Sequence, residues 1–481
     1  MRRERKLMIL TGVLVVCAAG AFGISRIDFE EKMTGTETTI VDADSADITY
    51  LAWNYEDDQL AFTREDGDWT YESDAKMSVD QDLLDGIAEN LSSIVSDKKV
   101  EEVQSLGVYG LSDPAYNITI KTADDTWEIA VGDETFSDGE VYISNGDGYV
   151  YLTDSGLIDD ISYTLLDCVQ KEEIPQMASI SEVKVVNEGT ADIIYKENAG
   201  YCYSDAYLYY LKDGDAYRNL DNVDTGNTFT TLSEFTWTDC VDYYADDTEL
   251  EYYGLADPAA TVTIIYRPAE EDSDDSEDGS DDAEAADDAE DQIFEYEVGK
   301  SDNAYYAKLA DSNIVYTISE EVYSAAVNAS YEKLKPDEVI LLDWDTVDSI
   351  EMELDGNVYT VDLEKDGDDA YKYTLNGAEV EFDDVLDQIL NITVAVDSAD
   401  DEEDDLPEEE PALNGNKSEL KLTFHRNTDE YQTVELEFYQ YDGSHCISVL
   451  NGDEMNYTDR SPVIDLKEAI NSVILDSESG E

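Results

Sequence analysis

One heptapeptide stands twice in this chain, and it constrains the fold more than any other feature. Tyr109-Gly110-Leu111-Ser112-Asp113-Pro114-Ala115 returns as Tyr253-Gly254-Leu255-Ala256-Asp257-Pro258-Ala259, with one position changed. Repetition of this kind marks one structural unit used again along the sequence. Each copy leads into an alternating strand, Asn-Ile-Thr-Ile after the first and Thr-Val-Thr-Ile-Ile-Tyr after the second. A further strand then ends in Val131-Gly132 or in Val298-Gly299, and a tyrosine-bearing hairpin closes each unit. The heptapeptide itself reads as turn chemistry. Glycine takes backbone conformations that other residues resist, and proline pre-sets φ on entry to the strand. Asp113 and Asp257 are expected to cap the turn, while Tyr109, Leu111, Tyr253 and Leu255 pin it to a core. Ligand binding by these residues is the rival reading.

The stretch before each motif follows the same plan. Strands near Ile48–Trp53 and Gln59–Arg64 lead to a helix starting at about Ser78. There Ser78 and Gln81 have capping-box spacing, and Leu83, Leu84, Ile87, Leu91 and Ile94 recur at helical intervals. A more diverged third copy lacks the Tyr-Gly-Leu sequence, with Pro411-Ala412 its only trace. In it Ile350, Met352 and Leu354 alternate, Asp355-Gly356 turns, and Tyr359, Val361 and Leu363 alternate back. A helix with Phe382, Leu386, Ile389 and Leu390 follows, then strands marked by Leu420, Leu422, Phe424 and by Val434, Leu436, Phe438. The expected class is α+β: tandem units of antiparallel meander sheet, each covered by one helix, after a single N-terminal transmembrane helix. The boundaries read as an N-terminal region 1–45, units at 46–172, 178–333 and 345–476, and a tail at 477–481. The second unit carries an insertion, 268–292, in which fourteen of the 22 residues from Glu270 to Asp291 are acidic. It is expected to be a disordered loop, and Asp397–Pro411 is a similar acidic run.

Arg2, Arg3, Arg5 and Lys6 precede an uncharged apolar run, Leu7–Ile24. At about 1.5 Å per residue this run spans about 27 Å, enough for a thin bilayer core. The basic residues ahead of it keep the N-terminus cytoplasmic and place the bulk outside. Ala19-Gly20-Ala21 offers a signal-peptidase site as an alternative, and Cys17 a lipidation site without the usual small residue before it. Cys168, Cys202, Cys240 and Cys446 match no zinc spacing and are too sparse for a disulfide scaffold, although a Cys202–Cys240 bridge stays open.

Charge excludes some functions. The chain has 118 Asp and Glu against 28 Lys and Arg, a formal net charge of −90. Such a surface repels phosphate backbones and anionic headgroups, so no nucleic acid is expected as a partner. The two histidines, His425 and His445, leave little material for Ser-His-Asp or Cys-His catalysis. His445 and Cys446 are sequence neighbours and point to opposite faces of a strand, a poor metal pair. Gly299-Lys300-Ser301 imitates the end of a phosphate loop but follows a strand without a glycine-rich turn. Asn145-Gly146-Asp147-Gly148 and Asp213-Gly214-Asp215 read as hairpin turns rather than calcium loops. Tyr201–Tyr210 reads as half-buried strand, with a sugar-stacking platform as the alternative. No catalytic residue, metal site or cofactor is assigned; weak divalent-cation binding by the acidic loops stays open.

The anchor, the tandem units and the Tyr-Gly-Leu-x-Asp-Pro-Ala entry into a strand resemble a bacterial family, the domain of unknown function numbered 4340. The likeness is densest over Tyr109–Thr153 and Tyr253–Ile318 and extends over most of 45–476. It implies a membrane-anchored extracytoplasmic protein of the kind encoded beside permease and ATPase components of gliding-type ABC exporters, and it supplies no catalytic residues. The expected function is therefore a non-catalytic binding or scaffold protein, anchored through residues 7–24 and accessory to an ABC transporter permease. The alternatives are an exported cell-wall-glycan enzyme and an acidic, cation-gathering spacer.

Overall fold

A computed structural model of the chain describes residues 33–34, 37–56, 58–103, 105–135, 139–269, 290–365, 371–393 and 412–479. The apolar run Leu7–Ile24, most of the acidic insertion and the acidic run Asp397–Pro411 lie outside the described residues. Among the described residues, no helix is long and apolar enough to cross a membrane. What they form is mostly antiparallel sheet with some helices.

The chain divides into two compact units. The first holds 1–173 together with 237–245 and 313–316; the second holds 174–236, 246–312 and 317–481. In the first, the sheet order is Met33–Thr34, Lys98–Val100, Val150–Asp154, Glu140–Ser144, Thr126–Glu134, Tyr116–Lys121, Tyr50–Tyr55, Asp58–Glu65, Asp68–Tyr71. Alternation decides which side is buried: Leu51, Trp53, Leu60, Phe62, Ile118, Ile120 and Ile129 are all inside. Helix α1 (Gln81–Leu91) adds Leu84, Ile87, Ala88 and Leu91 to the interior. The short segments from later in the chain complete this unit. Cys240 pairs with Tyr316 and Asp242 with Val315, Trp237 stacks on Tyr316 at 4.7 Å, and the Trp237 indole N–H donates to Glu172 O at 2.8 Å.

The second unit contains two sheets. In one, the strands Ala216–Asn219, Tyr209–Asp213, Thr190–Tyr195, Met177–Val186, Ala260–Pro268, Gln292–Ser301 and Ala304–Leu309 lie in that order. Helices α2 (Asn222–Ser233) and α4 (Glu320–Asn328) pack on it, with α3 (Asp247–Tyr253) between them in sequence. The other sheet runs Ala378–Val380, Tyr371–Leu375, Asn357–Lys365, Val347–Leu354, Ser418–Arg426, Thr433–Gln440, His445–Leu450, Asp453–Asp459. Helices α5 (Asp383–Leu390) and α6 (Arg460–Ser479) pack together against its inner face, burying Val385, Ile389, Val463, Leu466 and Ile470. In each of the three large sheets, a leading meander and a trailing meander flank a helix in sequence, and their first strands pair with each other in the middle of the sheet.

Several local expectations are corrected. The covering layer is more than one helix per sheet, since α2 and α4 share one sheet and α5 and α6 another. Helix α1 is capped by Asp80, whose carboxylate accepts from Leu83 N–H at 2.9 Å, and not by Ser78. The tyrosine-rich stretch is not strand over Tyr201–Leu208: it is loop, and it sends Tyr203 and Tyr207 into the core of the sheet carrying Phe424. Gly299, Lys300 and Ser301 lie within a strand, as expected of a segment that holds no phosphate loop. All four described cysteines are free thiols.

Candidate functional site

The two motif turns have the same construction. In the first, a 3-10 turn, Leu106–Tyr109, ends at Gly110 with φ 72°; in the second, α3 ends at Gly254 with φ 71°. Both angles fall in the left-handed region, where glycine carries no Cβ penalty. Leu111 N–H then reaches back to Leu106 O at 2.9 Å, and Leu255 N–H to Leu250 O at 2.8 Å, closing the same helix-end loop. Leu111 and Leu255 are buried.

A second glycine explains why the turn needs the strand that follows. A Cβ on Gly132 would lie 2.1 Å from Tyr109 O, and one on Gly299 would lie 2.5 Å from Gly254 O and 2.7 Å from Tyr253 O. A Cβ on Gly110 would meet Asp133 N at 2.6 Å, and one on Gly254 would meet Lys300 O at 2.7 Å. Turn and strand therefore touch backbone to backbone through a glycine on each side. The tyrosine closes the clamp from above. Tyr109 meets Tyr142 edge-on at 5.0 Å, and Tyr253 meets Tyr306 at 4.8 Å. Burial pushes the Tyr109 and Tyr142 phenols up, which keeps them neutral.

The aspartates do not do what the sequence suggests. Asp113 and Asp257 are exposed and accept no hydrogen bond within the described structure, so they do not cap the turn. The main chain closes the turn by itself. Pro114 and Pro258 are half-buried, each two residues before its strand begins. The groups beside the clamp also differ in sign between the copies: Asp133 stands where the other has Lys300. The charge at that position is therefore not what the two copies share; the turn geometry is.

Residues 69–258 match the family described as Domain of unknown function (DUF4340). The resemblance to DUF4340 read from the motifs is thereby shown; the first heptapeptide falls wholly inside the matched span and the second as far as Pro258, where the span closes. No curated protein matches the chain. The match assigns no reaction to the residues it covers.

The remaining candidates fall elsewhere. His425 is half-buried on a strand beside Ser349 and Thr433. His445 is buried, with Nδ1 3.3 Å from the Asp442 carboxylate, and Cys446 beside it is buried with its thiol pushed up to about 12 by desolvation. Asp147 is occupied within its own hairpin, accepting from Tyr149 N–H at 3.0 Å and Tyr151 O–H at 2.6 Å. The role of Gln81 was misread in the sequence and Asn222 was missed. The Gln81 carboxamide accepts from Trp69 N–H and donates to Trp69 O, and that of Asn222 accepts from Leu208 N–H and donates to Ala206 O. The Gln81 amide thus stands in for a missing strand partner, and that of Asn222 ties down a loop. The only signal was a carboxamide residue directly after the capping aspartate, Asp80 or Asp221.

Proposed function

We propose that this protein is a membrane-anchored, extracytoplasmic scaffold of three meander–helix–meander units that works by contact with a polytopic ABC-type permease. The observation that supports this best is the clamp: the residues that make the motif recognisable are spent on holding backbone against backbone. A motif so used gives a rigid unit that can be repeated, which suits presentation of surfaces more than turnover. The basic cluster and apolar run before residue 25 supply the anchor in this reading, and tethering raises the effective concentration of a weakly binding domain at its partner. Crosslinking of the full chain in native membranes should recover a polytopic permease, and a chain without its first 25 residues should capture less. Cleavage of wall glycan by the purified extracytoplasmic part, abolished by one carboxylate substitution, would replace this reading with an enzyme.

One observation favours a lesser role as a cation-gathering surface. A cleft of about 440 Å³ in the first unit is lined by Asp42, Asp44, Asp47, Asp124 and Asp125, with Trp127 at its side. Among the described residues no three acidic, histidine or cysteine groups converge as a metal site, so diffuse screening is what such a wall offers.

A further inference from the structure

We infer that the tip of each motif turn is a docking surface for a segment of another protein that presents apolar side chains among lysines or arginines. This rests on the reading above, contact with a membrane partner, and names where that contact is made. The residue immediately before the clamped tyrosine is Val108 in one copy and Tyr252 in the other, and they are 56% and 60% exposed. Leu106, on the same turn as Val108, is 41% exposed. Isolated exposed apolar side chains are ordinary on any protein. Here the exposure falls at the same step of two turns whose sequences differ, Leu106-Gly107-Val108 against Leu250-Glu251-Tyr252. The clamp does not require it, because Leu111, Leu255 and Tyr109 are buried and Tyr253 is half-buried against Tyr306. In the second copy, Tyr252 meets Tyr253 edge-on at 5.2 Å, and Tyr253 meets Tyr306, so aromatic packing leads outward to an exposed ring.

Charge selects the occupant. Asp113, Asp133 and Glu134 are exposed around the first tip, and Glu249, Glu251 and Asp257 around the second, where they outnumber the exposed Lys300. No lysine or arginine occurs in 101–116 or in 246–262. A second copy of this chain, or an anionic lipid surface, would bring like charge to these tips. A basic segment with apolar side chains meets both the carboxylates and the exposed Val108 or Tyr252. Apolar contact at the centre with charge at the rim is how compact docking sites hold a partner.

The test compares the full chain with a variant carrying Leu106→Ser, Val108→Ser and Tyr252→Ser. Thermal unfolding confirms that both fold. The probes are a synthetic alternating Lys/Leu peptide and a Lys/Ser peptide of equal charge, titrated at about 0.5 M NaCl, where the Debye length is about 4 Å. The wild type should prefer the Lys/Leu peptide by about tenfold, and the triple variant should lose that preference. Val358→Ser, at a 56% exposed apolar position in the third sheet, should keep it. Equal binding of both peptides, or a preference that survives in the triple variant, would overturn the inference. So would binding to phosphatidylglycerol-containing vesicles, or self-association, that depends on these three residues. If the triple variant still crosslinks to a permease in membranes, this surface is wrong while the contact function stands; if the wild type crosslinks to none, the contact function itself falls.

Discussion

Two glycines with opposite demands show how the clamp is specified residue by residue. Gly132 has no room: the Cβ of alanine would sit 2.1 Å from a main-chain oxygen that cannot swing aside. Gly132→Ala should cost about 3 kcal/mol, measured from the denaturant midpoint, since overpacking against backbone forces strand and turn apart. Gly86 lies on the exposed side of α1 with nothing within 4 Å of its added Cβ, so Gly86→Ala should stabilise by about 1 kcal/mol. If the two changes had the same sign, the clamp would not be tight. The heptapeptide was legible because its glycines and proline have few other uses. The misassigned aspartates show the limit, since an Asp near a turn predicts a cap only where main-chain N–H groups remain free. At Leu111 and Leu255 the N–H is already bonded to a carbonyl of the preceding turn. Cys168 supplies another residue-scale outcome. Burial first, then the carboxylates of Asp167, Asp80 and Asp58, raise its thiol to about 12. It should resist iodoacetamide at pH 8 in the folded chain and react on unfolding, as mass spectrometry would show.

At the scale of elements, strands were readable and their company was not. Period-two alternation located the strands around Leu51, Ile118, Ile350 and Leu422, because one face of each is buried and the other wet. Helix α6 was not anticipated. It opens Arg460-Ser461-Pro462, and proline, which lacks a backbone N–H, looks like a break when nothing shows that it stands in a first turn, where no intrahelical donor is needed. The loop from Tyr201 to Leu208 misled because tyrosines have the same strand preference whether they alternate on a sheet or plug a core from a loop. The start of α1 shows how a local pattern can be overruled by an edge. Gln81 has capping-box spacing from Ser78, yet its amide is engaged by the main chain of Trp69, on the strand Asp68–Tyr71 at the border of the sheet. Gln81→Ala should therefore cost more than an exposed helix substitution, about 1–2 kcal/mol, because Trp69 N–H and C=O lose their partner. Asp80→Ala should cost about 1 kcal/mol by removing the cap. If Gln81→Ala were neutral, the edge would be adequately served by water.

For the molecule as a whole, the charge surplus sets how stability responds to solution conditions. Burial is the first cause that raises the carboxyls of Asp160, Asp224, Glu182 and Glu338, with neighbouring carboxylates such as Asp192 beside Glu182 adding to it. The folded state holds those protons more tightly than the unfolded one. Their stabilisation is in place below the ordinary carboxylate range and is lost as pH rises through the raised values. Asp74, held down by the Tyr244 hydroxyl, and Asp345, held down by Tyr371 and then Lys365, act the other way and weaken the fold as pH falls through their depressed values. With a formal net charge of −90, thermal unfolding followed by circular dichroism should show Tm rising from pH 7.5 to about 5, and rising with NaCl at neutral pH. A Tm indifferent to salt would mean that self-repulsion is unimportant. The later segments of the first unit carry a further outcome: a fragment of residues 33–173 lacks Trp237 and Tyr316, so its Cys168 should become reactive and its Tm should fall. That same division of the chain also sets a schedule for biogenesis. The last piece of the first unit, Asn313–Tyr316, lies 140 residues beyond Glu173. At roughly 5–20 residues per second, synthesis of that stretch takes on the order of ten seconds. Throughout that interval the N-terminal unit waits unfinished, open to proteases, and it closes only on a polypeptide that has been carried well past its midpoint. Prematurely terminated products would thus be marked for clearance by their own incomplete first unit.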